Sequence, residues 1–160
     1  MLMKITMIIS LVLLTASVAT FGQRPSYARQ LETQLRCKAD PQAAKLMMEM
    51  LRSGSLRGPY VVEDSVSYFK LVKPLRVWNF NVVGVFGYQQ GYPEFFARGP
   101  GTSPPEMIGI VVRGNQNAVK LSLRNRGIDN LEVEPHEYNL NNGNTYARSG
   151  LVAIACWAKL

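Results

Sequence analysis

The segment that decides the fold runs from Tyr60 to Tyr88 and reads YVVEDSVSYFKLVKPLRVWNFNVVGVFGY. Tyr60 to Val62 and Val66 to Leu71 are rich in β-branched and aromatic residues, between Gly58-Pro59 on one side and Pro74 on the other, which is strand composition with turn boundaries. Leu75 to Trp78 and Val82 to Tyr88 form a second pair, joined by Asn79-Phe80-Asn81. A parallel connection needs a crossover of a dozen or more residues, and none of these joints is that long. The strands are therefore expected to pair antiparallel. Gly84 and Gly87 inside the last strand suggest a bulge or a close backbone approach.

Helical patterns lie on either side of this strand block. Asp40-Pro41 reads as an N-cap followed by proline at the first helical position, with helix formers from Gln42 to Arg52 and Gly54 as the stop. Ala43, Leu46, Met47, Met50 and Leu51 repeat at helical spacing, so the methionines read as core filling rather than as soft-metal ligands. Downstream, Met107 to Val112 is a buried-type strand. Asn115 to Arg126 is a second helix, capped by Asn115 and ended by Gly127, with Lys120, Arg124 and Arg126 toward the end of the dipole that favours cations. Leu131 to Val133 and Leu151 to Lys159 close the chain as strands on either side of an Asn/Gly-rich loop. Two helices cannot cover both faces of a doubly wound sheet. The expected fold is a single α+β domain with a mainly antiparallel sheet of five to six strands.

The N-terminus has the pattern of an export signal. Lys4 is followed by the apolar run Met7 to Leu14 and then by small and polar residues, the layout of a cleaved leader rather than of a span of about 20 apolar residues. The expected organisation is a leader over 1–22, a polar arm over 23–36 and the domain over 37–160. Cleavage after Gly22 is favoured over cleavage after Ala19. No cysteine stands at the end of the apolar run, so no lipid anchor of the bacterial lipoprotein type is expected, and no second apolar segment approaches spanning length. The periplasm, in a Gram-negative cell, or the medium is then the expected location.

The chain holds 18 Lys and Arg against 11 Asp and Glu. Its arginines are spread rather than clustered, and outside the cytoplasm the anionic partners on offer are envelope components or acidic proteins rather than nucleic acid. Cys37 and Cys156 are the only cysteines, and in an oxidising compartment two cysteines have one intramolecular pairing.

No motif names a reaction. His136, in Glu134-Pro135-His136-Glu137, is the only histidine, and a zinc site would need ligands that the chain does not supply. There is no Asp-x-Asp-x-Asp-Gly calcium loop and no Gly-x-Ser-x-Gly elbow. Ser53 and Ser65 read as turn residues. No metal or other cofactor is expected. Glu63, Asp64 and Glu94 could act with His136 as a hydrolase's carboxylate and acid–base groups if the fold gathered them in one cleft. The Pro/Gly-rich loop from Tyr92 to Pro105 points elsewhere. A loop of that composition belongs at the surface, and Tyr92, Phe95, Phe96 and Arg98 have the makeup of a contact hot spot. The expected function is a non-catalytic exported binding protein of the inhibitor, toxin-neutralising or envelope-accessory type, with a small secreted hydrolase as the alternative.

Overall fold

A computed structural model describes residues 26–93, 104–144 and 150–159. The leader read over 1–22 lies outside these residues. In chain order the elements are α1 (Tyr27–Gln34), α2 (Ala43–Arg52), β1 (Leu56–Glu63), β2 (Val66–Val77), β3 (Phe80–Tyr88), β4 (Met107–Arg113), α3 (Gln116–Arg124), β5 (Glu132–Pro135) and β6 (Leu151–Trp157). The strands make one sheet in the order β1-β2-β3-β4-β6-β5, and every neighbouring pair is antiparallel. This is the α+β domain expected, with three helices where the sequence suggested two.

The sheet grows from two tight hairpins. Asp64 and Ser65 link β1 to β2, and Trp78 and Asn79 link β2 to β3; all four residues have positive φ, between 46° and 72°. Positive φ at both central residues of a two-residue loop marks the turn whose twist matches that of paired strands. The stretches 66–71 and 75–78, expected as two strands, are one bent strand. Its register shifts between Lys70 and Leu75, on the side facing β3. β1 begins at Leu56, opposite Leu71, and once the Val72 N–H has donated to the Ser55 carbonyl β2 has no strand on its other side and tolerates Pro74.

The first helix, α1, lies in the segment expected to be a polar arm. Ser26 caps it, accepting the Arg29 N–H, and Leu31 and Leu35 are fully buried. Two apolar residues a helical turn apart give a mostly polar stretch its buried side. Asp40 does not cap α2. The helix starts three residues later with Gln42 at the N-cap position, and Gln42 makes no capping bond with its side chain. A buried residue from the end of β3 substitutes: Gln89 Oε1 accepts the Ala44 N–H at 2.9 Å. An orphan donor of the first turn is thus satisfied from across the fold. Gly54 and Gly127 end α2 and α3 at φ of +67° and +68°. At each, the following N–H reaches back five residues, Ser55 to Met50 and Ile128 to Leu123, a closure that glycine adopts without a Cβ penalty.

The two faces of the sheet differ. Alternation along the central strands sends Phe69, Val85, Ile108, Ile110, Ile154 and Cys156 to the side of α1 and α2, and all are buried. A Cβ on Gly87 would stand 3.1 Å from Ala43 and 3.2 Å from Met47, so that glycine lets α2 lie close against β3. Cys37, just after α1, is bonded to Cys156 of β6 with α-carbons 5.6 Å apart, which ties the helical layer to the sheet. Tyr68, Phe86, Gly109 and Ala155 point to the opposite face.

Candidate functional site

On that opposite face, residues 136–144 lie across the sheet as a strap. The strap closes on itself where Asn139 and Asn144 are joined through backbone, the Asn139 N–H donating to the Asn144 carbonyl at 2.9 Å. Gly143 is pressed onto β1: at φ +70°, a Cβ there would meet the Tyr60 carbonyl oxygen at 2.3 Å. Lys70 Nζ donates to Asn141 Oδ1 at 2.7 Å. His136 enters at the head of the strap with only 3% of its surface exposed. Its backbone N–H donates to the Leu151 carbonyl, and its Nε2 is hydrogen-bonded to the Tyr60 hydroxyl at 3.1 Å. Tyr68 and Tyr138 each stand with ring centres 5.7 Å from the imidazole, and Phe86 stacks on Tyr68 at 4.7 Å.

Burial governs the chemistry of this cluster. Loss of hydration disfavours the imidazolium and lowers the His136 pKa from 6.5 to about 4, so the ring is neutral at physiological pH. The Tyr68 hydroxyl is pushed up to about 12, by burial first and then by the carboxylates Glu63, Glu132, Asp64 and Glu134. Burial, with Tyr68 second, raises Tyr60 further above its ordinary value. Glu63 is also raised, through loss of hydration first and then through Asp64 and Glu137. The cluster is therefore a set of protonated phenols around a neutral imidazole, with carboxylates at its margin. Its chemical capacity is hydrogen bonding and stacking. A general base must reach the proton it takes, and the Nε2 of His136 is engaged by Tyr60 inside the fold.

The depressed histidine fixes a pH dependence. Between about 4 and 6.5 the unfolded chain binds a proton at His136 that the folded chain refuses. Stability therefore falls as the pH drops through that window. The raised carboxyl of Glu63 acts in the opposite sense, and comparison with a variant lacking only the imidazole cancels it. Urea unfolding of wild type and His136→Gln from pH 4 to pH 8 is expected to show the steeper acid loss in wild type. Parallel profiles would show that the imidazole is not held neutral.

The structure divides the residues singled out in the sequence. Tyr92 lies beyond β3 with 36% of its surface exposed. Phe95, Phe96 and Arg98 fall outside the described residues, as does Glu94. Glu63 ends β1, Asp64 occupies the following turn, and both act on Tyr68, the ring beside His136. Ser53 and Ser65 are turn residues at the end of α2 and between β1 and β2. Among the described residues no three His, Cys, Asp or Glu side chains converge as metal ligands. No described helix is long and apolar enough to cross a membrane.

A second feature was not singled out from the sequence. A groove of about 940 Å³ opens between the start of α1, the end of α2 and the bend of β2. Tyr27, Leu71, Pro74 and Leu75 supply apolar wall, and Arg52, Lys73 and Glu49 are its charged residues. The Tyr27 hydroxyl donates to the Glu49 carbonyl at 3.2 Å, and Lys73 Nζ donates to the Ser53 carbonyl at 2.9 Å. Sequence periodicity could not announce it, because its walls meet only once α1 docks and β2 bends at Pro74.

No family model, curated protein or solved structure matches the chain.

Proposed function

We propose that the chain is an exported, soluble, non-catalytic binding protein of the inhibitor, toxin-neutralising or envelope-accessory type. The observation that carries this reading is the state of His136. The one histidine of the sequence is neutral, buried and hydrogen-bonded to Tyr60, so it serves the packing of the strap rather than a substrate. The Cys37–Cys156 bond and the leader pattern at 1–22 support an oxidising destination. The exposed ring of Tyr92 supports a contact surface continuing into Phe95, Phe96 and Arg98. The partner is another protein or an anionic envelope component.

One observation favours the hydrolase instead: Glu63 and Asp64 stand near Tyr68, which is itself beside His136. The depth of the imidazole weighs against it. The two readings separate in one comparison. Immobilised wild-type protein is exposed to the native envelope fraction, beside the Phe96→Ala/Arg98→Ala double variant. The expected result is a stoichiometric partner, held unmodified by wild type and lost from a variant whose thermal unfolding is unchanged. Cleavage of the captured material, abolished by Glu63→Gln, would establish the hydrolase.

A further inference from the structure

The groove at the junction of α1, α2 and β2 has a polarity of its own. Tyr27, Leu71, Pro74 and Leu75 give it apolar wall beside the polar Ser26, Gln30, Ser53 and Ser55, while Arg52 and Lys73 are two cations against the single carboxylate of Glu49. The first turn of α1 also lines it, and that turn contains no acidic residue to offset the positive end of the helix. The opposite, C-terminal end of α2 is already answered: Lys73 donates to the Ser53 carbonyl, and the Gly54 closure returns the Ser55 N–H to Met50. The uncompensated charge in the groove is therefore positive. A volume of about 940 Å³ lies within the range of small-molecule sites, which combine apolar wall with a few polar groups that fix orientation.

We propose that this groove binds a free single-chain amphiphile with an anionic head, of the fatty-carboxylate type. The chain of the ligand lies along Tyr27, Leu71, Pro74 and Leu75, and its carboxylate faces Arg52, Lys73 and the start of α1. The inference rests on the binding-protein reading and gives one ligand class to it. Tyr92 is not among the residues that line the groove, so different variants test the two readings and the two fail independently.

Dodecanoate, below its micelle concentration, is the probe, followed by titration calorimetry against the full mature chain. Dodecyltrimethylammonium serves as the same tail with the opposite head, and acetate as the head without the tail. The expected result is saturable binding of one dodecanoate, with no binding of acetate and at least tenfold weaker binding of the cationic amphiphile. Arg52 and Lys73 are exposed, so Arg52→Glu/Lys73→Glu should still fold cooperatively, with an unfolding temperature lowered by the lost cations at the end of α2, and should lose dodecanoate at least tenfold. Leu75→Ser, which removes apolar wall without adding charge, should weaken binding of the tail by a similar factor at any salt concentration, whereas the charge-reversal effect should shrink as salt rises. Equal affinity for the two head groups, or dodecanoate binding untouched by the double reversal, would overturn the proposal. Absence of dodecanoate binding also overturns it. A partner captured through Phe96 and Arg98 would leave the binding-protein reading standing in that event.

Discussion

Alanine at both Cys37 and Cys156 is expected to cost the domain about 2–5 kcal/mol, measured by urea unfolding without reductant. The bond closes a loop with a sequence separation of 119 residues. In the chain-entropy account, removing a crosslink over about 100 residues frees the denatured ensemble by at most about 4.7 kcal/mol. The native side adds to this. Cys156 is fully buried on the helix-facing side of β6, opposite Ile108 of β4, and Cys37 is packed against the core where α1 gives way to α2. Alanine rather than serine isolates the crosslink, because serine would bury a hydroxyl at position 156. The loss should be uneven, with amides of α1 exchanging first, since this short helix is held by Leu31, Leu35, the hydrogen bonds of Tyr27 and Glu32, and this one covalent tie. A double variant that unfolds with wild type would show that the helical layer docks without the bond.

Strand pairing was legible wherever the chain turned tightly. The short joint after Glu63 implied an antiparallel hairpin, and a two-residue turn at Asp64 and Ser65 sets Glu63 opposite Val66 and Val61 opposite Tyr68. The turn at Trp78 and Asn79 was harder to see, because tryptophan is a poor turn former and its positive φ is imposed by packing. Trp78 is buried, and its backbone N–H donates to Glu32 Oε1 of α1. Caps divided in the same way. Asn115 caps α3 through its own side chain, a local bond that sequence reveals. The acceptor for α2 comes from Gln89, 45 residues downstream, which no local pattern can announce. The site was legible only in part. His136 was visible as a lone histidine between acids, but Tyr60, Tyr68 and Tyr138 reach it from three segments that only the register of β1 and β2 and the return of the strap bring together. A sequence shows which residues carry chemistry. Whether a histidine is a base or a packing element depends on burial, and burial is set by long-range pairing.

Gly109→Ala is expected to be more damaging than any surface substitution, by about 3 kcal/mol. The usual expectation has the opposite sign, since alanine restricts the unfolded chain and a glycine inside a strand weakens it. Geometry decides the case. A Cβ at position 109 of β4 would stand 2.2 Å from Cζ of Phe86, the residue directly opposite on β3, and 2.5 Å and 2.6 Å from its two Cε atoms. Those distances are far inside contact range, so the ring must leave. It has little room to do so, being 2% exposed and stacked on Tyr68 at 4.7 Å. A displaced Phe86 shifts Tyr68, and Tyr68 is one of the rings that flank His136 under the strap. The damage should therefore spread to amides of 136–144 as faster hydrogen exchange, beyond the drop in the global unfolding midpoint. A double-mutant cycle identifies the cause. Phe86→Ala alone removes a buried ring and costs about 3–5 kcal/mol, but in the Gly109→Ala background it relieves the clash and should cost at least about 1 kcal/mol less. Additive effects, or a Gly109→Ala protein as stable as wild type, would show that β3 and β4 can slide apart to admit the methyl group. In that case the glycine at 109 is not what lets the aromatic cluster lie flat on the sheet.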